Sequence, residues 1–161
     1  MKLKMTACIE ASKEEVWEIL SDVTNVSLWI APILSARCES DQKRGVGTER
    51  ICQLKGNMTI NEKWIEWNDG VSYTYQVFGS PLIKSAKNKW SVESINGKTL
   101  LTTESEVQLK GGLFGKLLEP LMSLASKRMG ANSLAAIKYL IENGKPYEGN
   151  FSALPKVPAV C

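Results

Sequence analysis

Histidine is missing from this 161-residue sequence altogether, and its absence removes whole classes of enzyme. A serine or cysteine nucleophile cannot be paired with a histidine base, and the commonest general acid–base side chain is not available. Four cysteines are present without paired spacing, so the motifs of zinc sites and redox-active dithiols are absent too. Catalysis would have to use carboxylates, tyrosine, lysine, arginine or bound water, and we expect no cofactor and no metal.

Long apolar runs are also absent, and no stretch approaches the length of a membrane-spanning helix. The first eleven residues, MKLKMTACIEA, lack the apolar core of a signal peptide. We therefore expect a cytoplasmic protein with no integral membrane segment and with its cysteines as reduced thiols. The formal net charge is only +3 and the lysines are scattered, so we expect no nucleic-acid partner.

What the sequence does contain is a hydrophobic period that changes twice along the chain. The opening residues alternate as a strand does, and Ser12 with Glu15 forms a capping box that begins a helix. Asp22 can cap a second short helix, which runs to about Trp29. Six segments rich in β-branched and aromatic residues then follow over residues 33–109, separated by turn signals such as NDG and ING.

The helical period returns after the last strand, and Gly144 closes a long C-terminal helix. Pro120 lies inside its first turns and predicts either a start near Glu119 or a kink. Short connections between the strands favour an antiparallel meander, so the expected order is β-α-α-β6-α, an α+β fold. A curved sheet of seven strands wrapped around the long helix can leave a cavity. We expect one domain over residues 1–144 and an irregular tail over 145–161.

The segment IEASKEEVWEILSDVTNVSLWIAP, residues 9–32, resembles the opening of the START-like (SRPBCC) superfamily, which includes the polyketide cyclase/dehydrase and lipid transport proteins. GVGTER, NEKWIEWND and the closing amphipathic helix follow in that family's order, so the resemblance covers residues 3 to about 143. It implies a helix-grip fold. Members of the family bind lipids, carry hydrophobic cargo, cyclise polyketides or assist other proteins, and the fold alone does not choose among these.

One carboxylate interrupts an apolar strand face in MTINEKWIEW, residues 58–67, where every second residue around Glu62 is apolar. An unpaired carboxylate facing inward there would be costly. A three-residue hairpin loop matches apolar with apolar residues and sets Arg50 opposite Glu62, whereas a two-residue loop does not. We therefore predict an Arg50–Glu62 pair on the concave face, with a solvated pair on the outer face as the alternative.

The same alternation in the later strands predicts an inner face that is apolar with a few hydrogen-bonding groups. On the long helix, methionines and serines share a stripe with Leu118, beside Leu121 and Ala125, which suggests an incompletely filled interface. This mixture is typical of a small-molecule cavity, and ordinary core packing with locally satisfied hydroxyls is the alternative. The candidate ligand-binding residues are Arg50, Glu62, Trp64, Tyr73, Tyr75, Asn88, Trp90, Thr103, Ser105, Met122, Ser126, Met129 and Ser133.

Three functional hypotheses follow, and the first is favoured because no catalytic constellation is visible. The first is a domain that binds a hydrophobic or amphipathic small molecule, such as a lipid, isoprenoid or polyketide-like compound. The second is a cyclase or dehydratase in which Glu62 acts as general acid or base and Arg50 or a tyrosine polarises a carbonyl. The third is an adaptor that binds another protein. A closed ion pair at Glu62 argues against the second. The sequence leaves the oligomeric state open.

Overall fold

A computed structural model describes the backbone of residues 1–161 and every side chain outside residues 113–116. The elements in chain order are β1 (Lys2–Ile9), α1 (Lys13–Ser21), a 3₁₀ turn (Asn25–Leu28), β2 (Ile33–Cys38), β3 (Glu49–Leu54), β4 (Met58–Asn68), β5 (Ser72–Phe78), β6 (Ile83–Ile95), β7 (Lys98–Leu109), α2 (Gly112–Asn143) and a second 3₁₀ turn (Phe151–Ala153). All seven strands form one antiparallel sheet in the order β1–β7–β6–β5–β4–β3–β2. The sheet curves around α2, as the predicted helix-grip fold requires.

The β3–β4 hairpin takes the three-residue loop that the sequence favoured. Leu54 pairs with Met58 across the loop, and four residues further from it Arg50 pairs with Glu62. Gly56 and Asn57 have positive φ angles of 80° and 57°, a left-handed conformation that glycine and asparagine adopt more readily than other residues. Turn chemistry and the apolar pattern therefore set the same register.

The second predicted short helix is present, but it is of the 3₁₀ type and shorter than expected. It is a single 3₁₀ turn at Asn25–Leu28, preceded by Thr24 rather than begun by Asp22. The Asp22 carboxylate accepts hydrogen bonds from the backbone N–H of Thr24 at 2.9 Å and from its hydroxyl at 2.7 Å. A side chain that holds the backbone two residues further on forms a local turn, and this turn takes the place of a helix cap.

The predicted start of the long helix near Glu119 is also wrong. Helix α2 begins at Gly112, directly after the left-handed Gly111, and Pro120 lies within it. An interior proline removes one helical hydrogen bond. Pro120 is exposed, so water can reach the part of the helix where that bond is missing.

The hydrophobic core lies between the concave face of the sheet, α1, the first 3₁₀ turn and the C-terminal half of α2. Trp29 and Trp90 meet there edge to face, with ring centroids 5.2 Å apart. Asn25 orients Trp29 by accepting a hydrogen bond from its indole N–H at 3.0 Å. The largest side chains with less than 2% exposure are Trp64, Ile9, Leu20, Leu101, Leu134, Ile137, Val16 and Val26.

The chain after α2 turns back along β1, the strand at one edge of the sheet. The backbone N–H of Cys8 donates to the carbonyl of Pro158 at 2.7 Å, and the Thr6 hydroxyl donates to the carbonyl of Ala159 at 2.6 Å. A disulfide joins Cys8 to Cys161, with 5.1 Å between the two Cα atoms. The tail thus covers the free edge of β1.

The expectation that all cysteines are reduced thiols is therefore wrong for Cys8 and Cys161. The two residues are separated by 153 positions, and only the return of the tail along β1 brings them together. Sequence spacing cannot show such a contact. Cys38 and Cys52 are free thiols. Over the residues described, no helix combines the length and the apolarity that crossing a bilayer requires.

Candidate functional site

A cavity of about 300 Å³ lies between the concave face of the sheet and the N-terminal half of α2. The sheet and the helix therefore do not meet tightly, as the sequence pattern suggested. Most of the wall is hydrocarbon, contributed by side chains such as Ile60, Val77 and Val107. Its volume lies at the lower end of the range of about 300–1,000 Å³ typical of small-molecule sites.

Most of the predicted ligand-binding residues lie in the wall of this cavity. Those that line it are Glu62, Tyr75, Asn88, Trp90, Thr103, Ser105, Met122, Ser126, Met129 and Ser133. Arg50, Trp64 and Tyr73 are buried behind the wall and do not line the cavity. Their role in ligand binding would therefore be indirect, through the wall residues that they support.

The polar wall residues stand in rows because the strands are in antiparallel register. Tyr75 pairs with Asn88, and Asn88 pairs in turn with Ser105 on the next strand. The Ser105 hydroxyl donates to the Asn88 side-chain oxygen at 2.6 Å. A second pair, Trp90 with Thr103, lies two residues along the same strands. The sheet side of the cavity is therefore its polar side.

The helix side of the cavity is formed by the predicted methionine and serine stripe. Met122, Ser126, Met129 and Ser133 line the cavity at the spacing of one helix face. The Ser133 hydroxyl donates to the carbonyl of Met129 at 2.9 Å, so this serine is satisfied within its own helix. Ser133 thus fits the alternative of ordinary core packing with a locally satisfied hydroxyl, although the interface around it stays open.

Strand β1 contributes to the wall in a way that the sequence analysis missed. Met1, Leu3 and Met5 line the cavity, and Met5 lies against Gly130 of α2. A Cβ atom at Gly130 would lie 1.9 Å from the Met5 methyl carbon, so the end of the Met5 side chain would have to move for any larger residue to fit there. The signals were present, since the opening strand alternates and a glycine inside a helix often marks a close approach.

The predicted Arg50–Glu62 pair is confirmed, and it lies on the concave side. The Arg50 Nε donates to Glu62 Oε2 at 2.6 Å, and Nη1 donates to the carbonyl of Val23 at 2.6 Å. The two side chains are each 4% exposed. The Cys52 thiol donates to the same oxygen of Glu62 at 3.3 Å. One carboxylate oxygen is thus saturated, and the pair is closed.

The charges around this pair are set by burial and by the partner. Burial opposes a charged Arg50, but Glu62, together with Cys52, Tyr75 and Tyr73, outweighs that effect and holds the guanidinium pKa above its ordinary value. Burial raises the pKa of the Cys52 thiol to about 12, against the opposing effect of Arg50. The Arg50 Cζ atom lies 4.9 Å from the ring centroid of Trp64, within the range of a cation–π contact.

Aromatic packing explains why Trp64 and Tyr73 lie behind the wall. Tyr73 packs against Trp64 at 5.8 Å between centroids, against Trp67 at 5.4 Å and against Trp17 of α1 at 5.9 Å. Burial raises the pKa of the Tyr73 hydroxyl well above its usual value. These rings fill the end of the sheet that α1 covers, and they leave the cavity to the opposite end.

The described side chains contain no cluster of three or more His, Cys, Asp or Glu residues that could bind a metal. The polar groups of the cavity wall are instead hydrogen-bonding groups with one paired carboxylate. Such a wall can orient a ligand. The thiol that contacts the Glu62 carboxylate, that of Cys52, does not line the cavity.

Several solved structures share this fold. A START superfamily protein from Mycobacterium smegmatis has a TM-score of 0.71 and 15% identity, over 89% of this chain and 99% of that chain. The Zhui aromatase/cyclase from Streptomyces sp. R1128 has a TM-score of 0.71 and 14% identity, over 89% and 94%. Ara h 8.0201 has a TM-score of 0.71 and 13% identity, over 89% and 98%. At these identities the likeness shows the fold alone.

Relatives in sequence include uncharacterized proteins of Mycobacterium bovis and Mycobacterium tuberculosis. Each is 24% identical over 133 residues, covering 79% of this chain and 78% of the relative. A family model described as polyketide cyclase / dehydrase and lipid transport matches residues 1–142. That match spans the whole sheet and nearly all of α2, and the chain belongs to the polyketide cyclase / dehydrase and lipid transport family.

Proposed function

We propose that this protein binds a hydrophobic or amphipathic small molecule, of lipid, isoprenoid or polyketide-like chemistry, in the cavity between the sheet and α2. The observation that carries the proposal is the open gap of about 300 Å³ with a hydrocarbon wall. A protein interior is normally close-packed, so a gap of this size in the centre of a fold indicates room for a guest molecule.

The distribution of polar groups supports an oriented ligand. Four groups that can form hydrogen bonds, Tyr75, Asn88, Thr103 and Ser105, face the cavity from the sheet, whereas two methionines and two serines face it from α2. The polar end of a ligand would lie against the sheet, and its apolar body would lie against the helix. Methionine side chains are flexible and fill irregular gaps, so the helix side can adjust to ligands of different shape.

The cyclase or dehydratase alternative is less well supported by the geometry. It would use Glu62 as general acid or base, but Arg50 and Cys52 already donate to one oxygen of this carboxylate. A closed, buried ion pair serves structure and positions neighbouring groups. The variant Glu62→Gln tests this alternative. Loss of substrate turnover with ligand binding unchanged would show that the protein is an enzyme, and it would contradict a function limited to binding.

Titration with a fluorescent fatty acid tests the binding function directly. The variant Ser126→Trp places an indole in the helix side of the cavity, and we expect it to abolish saturable binding. The matched control is Ala125→Trp, because Ala125 is the adjacent, exposed residue of the same helix and does not line the cavity. Equal binding by both variants would contradict the proposal.

We also propose a cytoplasmic location, and the Cys8–Cys161 disulfide provides its test. The disulfide of the folded chain is typical of oxidising conditions, so a cytoplasmic location requires that the cell keep Cys8 and Cys161 reduced and available for alkylation at the moment of lysis. Rapid alkylation of cells followed by mass spectrometry measures this. A fully oxidised Cys8–Cys161 pair in freshly lysed cells would place the protein in an oxidising compartment.

A further inference from the structure

The N-terminal half of α2 carries a second apolar stripe, on the face opposite the cavity. Leu117, Leu121 and Leu124 follow one another at the spacing of one helix face, and they are 77%, 66% and 68% exposed. Single exposed apolar residues are common on proteins, but a contiguous patch marks an interaction surface. Helix α2 is therefore apolar on both sides along this half, and the leucines of the outer side remain exposed in the described part of the chain.

The loop between β5 and β6 carries a further exposed leucine. Leu82 in that loop is 61% exposed. The loop is bound to the residue before α2, because the backbone N–H of Lys110 donates to the Leu82 carbonyl at 2.9 Å and its ammonium donates to the Ser80 carbonyl at 3.1 Å. Ser80 and Ile83 of the same segment line the cavity. We call Leu82, Leu117, Leu121 and Leu124 the outer leucine surface; the loop that carries Leu82 borders the cavity.

Exposed cationic side chains follow the leucines along α2. Arg128 continues the leucine stripe by one further turn, and Lys127 lies beside it; both side chains are exposed, as is Lys84 after the loop. The only carboxylate in the sequence of residues 117–132 is Glu119, and it lies 4.0 Å from the ammonium group of Met1. The surface therefore combines exposed leucines with cations, while its one acidic side chain has a cation of its own.

We propose that the outer leucine surface docks on a lipid surface that carries anionic headgroups. Leucines can enter the boundary between headgroups and acyl chains while flanking cations bind the headgroups, as in helices that lie in a membrane interface. Charge complementarity favours this partner over a second copy of the chain, since residues 117–132 offer no unpaired carboxylate to meet Lys127 and Arg128.

The docking surface also has a consequence for the cavity, and this part rests on the proposed function. The opposite face of the same half-helix lines the cavity through Met122 and Ser126. Docking would place this wall and the bordering loop against the lipid, so an apolar ligand could pass between them without crossing water. The chain would then load or deliver its ligand at the lipid surface.

Vesicle flotation tests the proposal with the full chain. We expect the protein to float with phosphatidylcholine vesicles that contain phosphatidylglycerol, to float less with phosphatidylcholine alone, and to detach as salt is raised. The variant Leu121→Gln/Leu124→Gln should lower the bound fraction by about tenfold or more. Replacing Lys127 or Arg128 by glutamine should weaken binding by about fivefold each. The matched control is Leu34→Gln, a 57% exposed leucine on β2 that does not line the cavity.

Equal flotation of the double variant and the Leu34→Gln control would overturn the proposal. So would a failure of the wild type to float, or a dimer in size-exclusion chromatography that the double variant abolishes, since the face would then belong to a protein contact. Fatty-acid titration in solution separates this result from the proposed function. If the double variant no longer floats but still binds the fatty acid as the wild type does, the docking surface is supported. If the wild type floats through its leucines but does not bind the fatty acid, docking stands and the proposed ligand-binding function is contradicted.

Discussion

The two halves of α2 differ in what they contact. In the C-terminal half, Leu134, Ala136 and Ile137 are no more than 1% exposed and pack into the core. In the N-terminal half, no residue between 117 and 132 is buried. One helix thus anchors the fold at one end and forms a loosely packed cavity wall at the other. The comparison teaches that the long helix is needed for both tasks, and that its stability comes from one half.

The sheet shows the same division. The aromatic rings of Trp17, Trp64 and Tyr73 fill the end under α1, whereas hydroxyls, an amide and aliphatic side chains leave the other end open. The Arg50–Glu62 pair lies at the boundary, because Arg50 binds the carbonyl of Val23 on the filled side and Glu62 lines the cavity on the open side. The pair therefore joins the two ends.

The largest expected effect comes from breaking the Arg50–Glu62 pair. Either Arg50→Met or Glu62→Gln leaves a buried group without its charged partner, and each should lower the free energy of unfolding by about 3–5 kcal/mol. Urea denaturation of the purified variants measures this. The double variant Arg50→Met/Glu62→Gln should lose less than the sum of the two single variants, since no uncompensated charge remains. Additive losses in the double variant would show that the two residues act separately.

The comparison of the two halves of α2 can be tested by the same change in each. Ile137→Ala removes a side chain with no exposure and should cost about 2–5 kcal/mol of unfolding free energy. Leu124→Ala, in the exposed half, should change it by no more than about 0.5 kcal/mol. Denaturant midpoints of the two variants give both numbers. A large loss for Leu124→Ala would mean that the N-terminal half is packed against something within the chain.

The tail offers a further comparison, between its bonded and its reduced state. Cys161→Ser removes the link to Cys8, and we expect a loss of about 2–4 kcal/mol in the oxidised protein. The same variant should match the wild type once both are fully reduced. Cys38→Ser is the matched control, because Cys38 is a free thiol. This variant should lose the same stability on reduction as the wild type does.

The smallest expected effect is the pH dependence of stability that the Cys52 thiol contributes. The pKa of the Cys52 thiol is raised to about 12, so the folded protein keeps this proton where the unfolded chain loses it. Stability from this group is complete below the thiol's unfolded pKa of about 8.5 and falls as pH rises towards 12. Urea midpoints between pH 8 and pH 10 should fall more steeply for the wild type than for Cys52→Ala. An equal fall of the urea midpoint with pH in the two proteins would contradict a raised pKa of the Cys52 thiol.

Much of the fold could be predicted because its determinants are local. Alternation in β3 and β4 and the turn residues Gly56 and Asn57 set the hairpin register, and the register alone places Arg50 opposite Glu62. Most of the cavity wall followed from the same alternation, since residues that share a strand face also share a side of the sheet.

Other features could not be predicted because they depend on contacts between distant parts of the chain. The disulfide requires the tail to return to Cys8, and the close approach of Gly130 to Met5 requires α2 to cross β1 at one particular turn. The positions of Trp64 and Tyr73 behind the wall depend on rings from α1. Strand alternation predicts the inner face but does not say which part of that face is filled.

The central claim is that the open half of α2 and the sheet enclose a space occupied by a guest molecule. Native mass spectrometry of the protein purified from its own host tests it most directly, with Ser126→Trp measured beside the wild type. We predict a small-molecule adduct on the wild type that dissociates on denaturation and is absent from Ser126→Trp. A wild type without any adduct, or the same adduct on both proteins, would contradict the account.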